Sequence, residues 1–582
     1  MLRAVGIDLG TTKAVIAALR RGEPLALAGA DGSPVVPAVM GRSPEGRLIV
    51  GHAAAQALRE GELCTPDGRP YTPVERMALF LAQLKRQAEQ ALGEPVRRAV
   101  LAIPVYFGQA QIASLLEAAR MAGLFVLRLV QSPLAAGVAY GLGRTGARPQ
   151  TILVFDLGGG CLDVGVLRLF HGAVVPLALC GDGWLGGNEF SDAIVAHLIR
   201  QLQAQRELVL DETAAARQRL RRALRAYAEQ AKVALSILEQ TSLRIPGEVL
   251  GLPGEVREVL TRAAFDGLIG PRAEDALALA REVAEASGVP PEGIDGVLLA
   301  GGSGQVPLIE TALERQFPRA ALLRSLTPLL GVAQGAALLA GTLEWVECPN
   351  CGLANSIERE ACQGCQTALA GEERLLCPEC DLPNEARRPI CWKCAASLRR
   401  AREARSEAPK CPACGAAVQV AAASCPACLR PLGNGDPGGL RCAACGRAAP
   451  AGATSCPACG ILLAPFVGGM ASHSLGLAFP DGRMDVLLPR GQVLPSPRPA
   501  LREVRTLADG QTELEVPLYE GERPWARENT RGTLHLHLPE GLPAGTIVEL
   551  AFGLDRDGRL RVGASLKGDA SADVEAILHW PL

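Results

Sequence analysis

Sixteen of the nineteen cysteines fall in four copies of one spacing, Cys-x2-Cys-x10-Cys-x2-Cys. The copies are Cys348, Cys351, Cys362 and Cys365; Cys377, Cys380, Cys391 and Cys394; Cys411, Cys414, Cys425 and Cys428; and Cys442, Cys445, Cys456 and Cys459. Thiolate is a soft ligand, and four thiolates suit tetrahedral Zn²⁺. A Cys-x2-Cys turn sets two sulfurs on one knuckle, and flanking Pro and Gly, as in Cys348-Pro349-Asn350-Cys351-Gly352, favour such tight turns. The ten residues between knuckles suffice for a short hairpin that brings the second knuckle back. Each module is too small to bury its own core, so metal would supply its folding energy. Four zinc ions are expected, in preference to disulfides or iron–sulfur clusters. Pairing within each module is the simplest ligand assignment, and exchange between neighbours stays open. The other cysteines, Cys64, Cys161 and Cys180, read as small buried side chains rather than nucleophiles.

A second kind of chemistry lies upstream. Ala4-Val5-Gly6-Ile7-Asp8 is a short apolar strand ending in an acid, followed by the turn Leu9-Gly10-Thr11-Thr12-Lys13 and a second apolar run. The pattern recurs at residues 152–166, where Asp156 precedes Gly158, Gly159 and Gly160, and in part at Gly301, Gly302 and Ser303. Glycines let backbone N–H groups approach phosphate oxygens, and hydroxyls add donors. A carboxylate at a strand end can hold Mg²⁺ through waters. One such hairpin would be weak evidence. Two, each with a strand-end Asp, point to a duplicated fold that holds nucleotide between its halves.

Composition bounds the frame around these sites. A chain of 582 residues has room for several cores, and 48% hydrophobic with 21% charged residues reads as globular. The formal net charge of −2 gives no global field favouring nucleic acid or anionic lipid. The N-terminus lacks a signal-peptide core, and no uninterrupted apolar run is long enough to span a membrane. The expected compartment is the cytoplasm, whose reducing poise agrees with metal-binding thiols.

Residues 4–342 resemble the actin-like ATPase domain of the Hsp70 chaperone family. Besides the hairpins, the resemblance rests on residues 99–107, on Ala119-Arg120-Met121-Ala122-Gly123-Leu124, on the Gly-Asp…Leu-Gly-Gly segment at 181–190 and on the helix at 227–236. It implies that Asp8 and Asp156 organise Mg²⁺, with Thr11 joining them as the catalytic set. It implies that Gly10, Thr11, Thr12, Lys13, Gly158, Gly159 and Gly160 cradle phosphates. Glu229, Lys232 and Ser236 would then face ribose and adenine, while Gly301, Gly302 and Ser303 close the pocket. Several positions depart from the family's pattern. No lysine occurs between Lys13 and Lys85, so the family's catalytic lysine is missing with its surroundings. Gln131-Ser132-Pro133 replaces Asn-Glu-Pro, and Cys161 replaces a threonine. Val233 and Gln305 stand at two arginine positions that flank the adenine, and Leu329 stands at an acid. Losing a base and a phosphate cation predicts hydrolysis slowed by several powers of ten.

From about Phe466 onward the cysteines stop and alternation begins. Strands are expected at 484–490, 512–519, 532–538, 545–552 and 560–564, which suggests an antiparallel β-sandwich. This segment resembles the family's β-rich peptide-binding domain through Ser474-Leu475-Gly476-Leu477, residues 488–495, Tyr519-Glu520-Gly521-Glu522-Arg523-Pro524 and residues 552–560. The resemblance implies a groove lined by Leu477, Phe479, Val504, Leu507, Leu514 and Val516 that takes extended apolar peptide. Each of these reads equally as sandwich core. No helical lid follows before Leu582, so bound peptide should exchange fast.

The expected organisation is therefore an α/β actin-like, ribonuclease H-like duplicated ATPase domain at 1–345, four tandem zinc ribbons at 346–465, resembling two double zinc ribbons, and a β-sandwich at 466–582. The expected function is an atypical Hsp70-like chaperone or client-binding protein, using ATP or ADP, Mg²⁺ and Zn²⁺ and binding unfolded or extended protein segments. The alternative is a nucleotide-gated scaffold that recruits a protein partner through its ribbons. The basic run at 398–405 could touch nucleic acid, but few aromatics accompany it, which disfavours that partner. No membrane partner is expected. The ribbons occupy the place of the family's interdomain linker, and Ile461-Leu462-Leu463 is the nearest apolar remnant of it.

Overall fold

The computed structural model describes residues 4–20, 22–29, 31–42, 48–51, 70–141, 149–170, 173–206, 214–250, 254–324, 327–343, 345–348, 354–356, 359–371, 374–377, 382–385, 391, 398, 466–568 and 574–580. Cys64, the third and fourth ribbons, the basic run at 399–405, Ile461-Leu462-Leu463 and the segment 52–69, where the family's lysine would have to be sought, lie outside these residues.

Two sheets of matching topology form the N-terminal part. In the first, β1 (Ala4–Leu9) pairs antiparallel with β2 (Lys13–Arg20), and β2 with β3 (Glu23–Ala26). On its other side β1 runs parallel to β4 (Arg98–Ile103), which runs parallel to β5 (Phe125–Gln131). The second sheet repeats this order. There β6 (Gln150–Leu157) pairs antiparallel with β7 (Leu162–Phe170), and β7 with β8 (Ala173–Asp182). On the far side β6 runs parallel to β9 (Gly296–Ala300) and β9 to β10 (Ala321–Leu323). The near-continuous apolar runs of β1, β4 and β9 follow from strands covered on both faces.

Helices fill those faces. Helix α1 (Pro73–Leu92) starts where Thr72 and Glu75 form a reciprocal capping box with Pro73 in the first turn, and it stops at Gly93 with φ 71°. Helices α2 (Gln109–Met121) and α3 (Ser132–Gly141) follow β4 and β5. In the second half, α4 (Gly187–Arg206) and α5 (Ala214–Leu235) pack over β6 and β7. Helix α6 (Gly331–Thr342) lies against α3, and a Cβ on Gly335 would collide with the Ala135 carbonyl. That contact explains its Gly- and Ala-rich sequence.

A short strand, β11 (Phe466–Val467), adds to β8 in parallel and leads into the C-terminal unit. One sheet there contains β12 (Leu475–Ala478), β13 (Met484–Leu488), β15 (Glu513–Glu520), β16 (Thr530–His537) and β19 (Glu575–His579). The other contains β14 (Ala500–Arg505), β17 (Ile547–Leu554) and β18 (Leu560–Leu566). Their inner residues share one core, with Leu534 and Leu536 facing Val548, Leu550 and Phe552, while His535 and His537 alternate outward. The expected strands are found with shifted ends. The short strand β12, the strongly charged β14 and the terminal β19 are not among the expected ones.

Candidate functional site

The tips of the two hairpins meet. A Cβ on Gly159 would collide with the Thr12 side chain, and one on Gly160 would sit 2.7 Å from Thr11 Oγ1. Glycine is thus needed where the hairpins close on each other, and the hydroxyls of Thr11 and Thr12 line the seam. The third glycine turn joins them. Gly301, at φ +72°, lies so close to the Leu157 carbonyl and to Asp156 that a side chain there would clash. Lys13 spans the cleft, its Nζ 3.7 Å from the position a Cβ on Gly302 would take.

Three carboxylates converge beneath this seam. Asp8 sits near the end of β1, and Asp156 faces Asp163 directly across the β6–β7 pair. Asp8 and Asp156 keep part of their surface open, whereas Asp163 is 2% exposed and accepts the Val105 N–H at 2.8 Å. Burial pushes Asp8 up to about 7. Burial does the same to Asp163, against the pull of the Val105 N–H. Asp156 is held well above the ordinary range by burial and by the charges of Asp163 and Asp8. Asp8 also raises the proton affinity of both partners, and Asp163 that of Asp156, a crowding of carboxylates that a divalent cation would relieve. Asp163 was not among the residues expected from sequence, although an acid opposite Asp156 in a glycine-turned hairpin was a legible signal.

Cys161 completes the turn. Burial first, and then the charges of Asp163, Asp156 and Asp8, keep its thiol protonated despite a hydrogen bond with Tyr106. That setting disfavours the thiolate form. Ser132, at the position of the family's acid, is buried with its hydroxyl donating to the Ile103 carbonyl at 3.2 Å. Lys85 does not reach the cleft: its Nζ lies 3.2 Å from the Gly123 carbonyl.

Glu229, Lys232 and Ser303 gather on the other side of the glycine turns. Lys232 Nζ lies 2.6 Å from Glu229 Oε2, 2.9 Å from the Gly187 carbonyl and 3.1 Å from Ser191 Oγ. Burial pushes the Lys232 ammonium down, although Glu229 opposes it. Burial would raise Glu229, but Lys232, Ser191 and Lys13 together hold it below its ordinary value. Ser191 is a further member that the sequence did not disclose. Ser303 is buried against Gly187. Ser236 turns back, donating to the Lys232 carbonyl at 3.0 Å. Val233 is 52% exposed, and Gln305 bonds weakly to the Gly302 carbonyl at 3.4 Å.

The donor set fits Mg²⁺ and a polyphosphate: clustered carboxylates, glycines where a Cβ would intrude, hydroxyls at the seam and one lysine reaching across. Residues 62–347 match the family model described as Hsp70 protein. The match supports an Hsp70-family ATPase domain in this part of the chain, with the actin-like fold, nucleotide and Mg²⁺ that such a domain implies. It begins after the β1–β2 hairpin, which the repeated sheet topology supplies. A chaperone-like nucleotide-binding function follows for the Hsp70-type segment.

A second cluster, able to hold a metal ion, lies in the first cysteine copy. The Sγ atoms of Cys348, Cys362 and Cys365 lie within 4.8 Å of one another, those of Cys348 and Cys365 at 3.4 Å. The Gly364 N–H points at Cys362 Sγ at 3.3 Å, and Asn355 Nδ2 lies 3.5 Å from the same sulfur. Such N–H···S contacts orient and stabilise thiolate ligands. Asn384 holds the equivalent place in the second ribbon, seven residues after Cys377 as Asn355 is after Cys348. Both asparagines are fully buried, and their repeated offset is legible in the sequence. Cys377 and Cys391 are described and buried, while Cys351, Cys380 and Cys394 lie outside the described residues.

The C-terminal unit touches the ATPase segment at several points. Glu520, on the inward phase of β15, accepts the backbone N–H of Gln109 at the start of α2, with oxygens at 2.8 and 3.0 Å. The Gln109 side chain bonds the Gly558 carbonyl at 2.7 Å and the Leu560 N–H at 2.9 Å. His473 Nε2 lies 2.9 Å from the Tyr106 carbonyl, Arg128 donates to the Val467 carbonyl at 2.6 Å, and Gln131 exchanges two bonds with Met470. Of the groove candidates, Val516 is 6% exposed within the core, and Leu477, Val504 and Leu514 are half-buried against it. Phe479 is 45% and Leu507 84% exposed. Among the described residues no helix is long and apolar enough to cross a membrane.

Proposed function

We propose that this chain is an atypical Hsp70-like chaperone or client-binding protein that binds Mg²⁺–ATP and hydrolyses it slowly or not at all. The observation that carries the reading is the meeting of two glycine hairpins over Asp8, Asp156 and Asp163. Bound Mg²⁺ would neutralise phosphate charge, with Asp8 and Asp156 holding its waters and Asp163 supporting them. Gly10, Gly158, Gly159, Gly160, Thr11 and Thr12 would take phosphate oxygens. Lys13 would give the polyphosphate a cation, and Glu229 and Lys232 would hold the sugar end. The slow-hydrolysis part rests on chemistry: Ser132 and Cys161 offer no base, and Lys85 is spent on backbone carbonyls. Four thiolate-bound zinc ions are part of the same reading, as is an extended apolar peptide held by the C-terminal unit.

The signal between the two parts would run through residues 104–107. Val105 bonds Asp163, and Tyr106 contacts Cys161 on the cleft side and His473 on the other. Calorimetry of the full chain with Mg²⁺–ATP should give saturable binding at one site, and single-turnover hydrolysis should be far slower than for ordinary Hsp70 proteins. Absence of any nucleotide binding would remove the reading. A rate like that of the ordinary proteins would sink its slow-hydrolysis part.

A further inference from the structure

The first two ribbons are built into the ATPase segment rather than strung beside it. Arg98, the first residue of β4, is 1% exposed, and a buried guanidinium is costly unless its N–H groups find acceptors. It finds them in the first ribbon: Nε donates to the Leu369 carbonyl at 3.1 Å, and an Nη donates to the Arg359 carbonyl. Beside it, the Gly371 N–H donates to the Arg97 carbonyl at 3.0 Å. Gly371 lies so close to the Gly123 carbonyl that any Cβ would collide with it. Arg374 reaches the Arg120 carbonyl at 3.2 Å. The ligand cysteines themselves are core residues of the lobe. Cys348, Cys362 and Leu369 share one apolar cluster with Val100 and Leu127. Cys377, Leu382, Cys391 and Leu398 share another with Leu81, Leu84 and Leu101. Thr367, Ala368, Ala370 and Gly371 also wall an open cleft of about 440 Å³, lined opposite by Asp555, Arg556, Asp557, Arg559 and Arg561.

We infer that the metal of the first ribbon is a structural element of the ATPase lobe, and that its loss loosens the strand leading to the nucleotide cations. The surface that the first ribbon covers is thus this chain's own first sheet at Arg97, Arg98 and Gly123. Strand β4 carries the effect inward. Its residue Ala102 pairs with Asp8, four residues or about 13 Å along the strand from the Arg98 dock. A first ribbon that has lost its metal keeps only its docking contacts, which do not hold the Arg359 and Leu369 carbonyls in register, because metal supplies most of the folding free energy of a module of that size. Arg98 is then left buried without those acceptors, and β4 and β5 lose the cover over their N-terminal ends. This inference rests on the zinc reading above, and metal stoichiometry separates the two.

The test uses the full chain and three readouts: metal content by atomic emission, amide hydrogen exchange, and Mg²⁺–ATP affinity. Cys362→Ser should lose one metal equivalent, speed exchange in β4 and β5 by at least about tenfold and weaken nucleotide binding severalfold. Arg98→Met leaves every ligand cysteine in place. It should keep the full metal content yet give the same pattern of faster exchange in β4 and β5. A Cys362→Ser protein that loses its metal while exchange in β4 and β5 stays at the wild-type rate would overturn the inference and leave the zinc reading standing. A wild-type protein that binds no metal would overturn both.

Discussion

Asp163 stands across the hairpin from Asp156, and like charges directly opposite each other in a sheet destabilise it. Their persistence in a buried position marks a site where folding free energy is given up for chemistry. Asp163→Asn should therefore separate the two effects. Thermal stability of the metal-free protein should hold or rise, because a buried repulsion is removed. Mg²⁺–ATP affinity should fall by about 10–100-fold, the usual range when a group supporting a metal's shell is lost. A parallel fall in both quantities would mean that Asp163 is simply a structural residue bonded to Val105. Lys13 is the complementary case. It is the one lysine in the first 84 residues, and it sits on the strand-side rim of the turn with its ammonium directed to the Gly302 loop.

At the scale of elements, the α2 N-terminus and β15 form a contact that titrates. Glu520 points inward in an otherwise apolar phase because the first N–H of α2, at Gln109, waits for an acceptor there. Burial raises its proton affinity above the ordinary value, against the Gln109 N–H and His473. The docked form thus binds more protons than the undocked one. Docking is strongest below the ordinary glutamate range and weakens as pH rises through the docked value. Energy transfer between labels on the two units should report looser docking at pH 8 than at pH 5.5. Glu520→Gln keeps an oxygen for Gln109 but cannot ionise, so its docking should be less dependent on pH and at least as tight at pH 8. Docking by Glu520→Gln that loosens with pH as steeply as wild type would assign the titration to another group.

Across the whole molecule, β11 ties the C-terminal unit to the second sheet. Its Val467 is 6% exposed within a core shared with Val174, and its carbonyl is held by Arg128. Val467→Asp would bury a carboxylate without a partner, at a cost of several kcal/mol, and should expel β11 from the edge of β8. Amides in β8 near Ala173 and Val174 should then exchange faster, and any effect of nucleotide on peptide affinity should vanish while nucleotide affinity itself stays close to wild type. Retention of nucleotide-dependent peptide binding in this variant would show that the residues 104–107 route suffices. The apolar linker remnant at Ile461-Leu462-Leu463 lies outside the described residues, and the pairing strand is the Phe466–Val467 pair just after it.

The sequence alone determined whatever depends on local chemistry. Cysteine spacing defines knuckles because the ligands of one knuckle are a turn apart. Glycine beside a strand-end acid defines a phosphate-type hairpin because only glycine permits the approach. Alternation defined most of the C-terminal strands. What depended on contacts far apart in the chain was decided only by the tertiary structure. Ser191 and Asp163 join the site through partners on other elements, Glu520 finds its acceptor role 411 residues away, and Val516 takes its place in the sandwich core. The ribbons gave the largest difference. Their spacing predicts metal, and the buried arginine at the head of β4 bonds the described part of the first copy to the ATPase segment. A guanidinium can be buried there only once the folded ribbon brings its carbonyls to meet it.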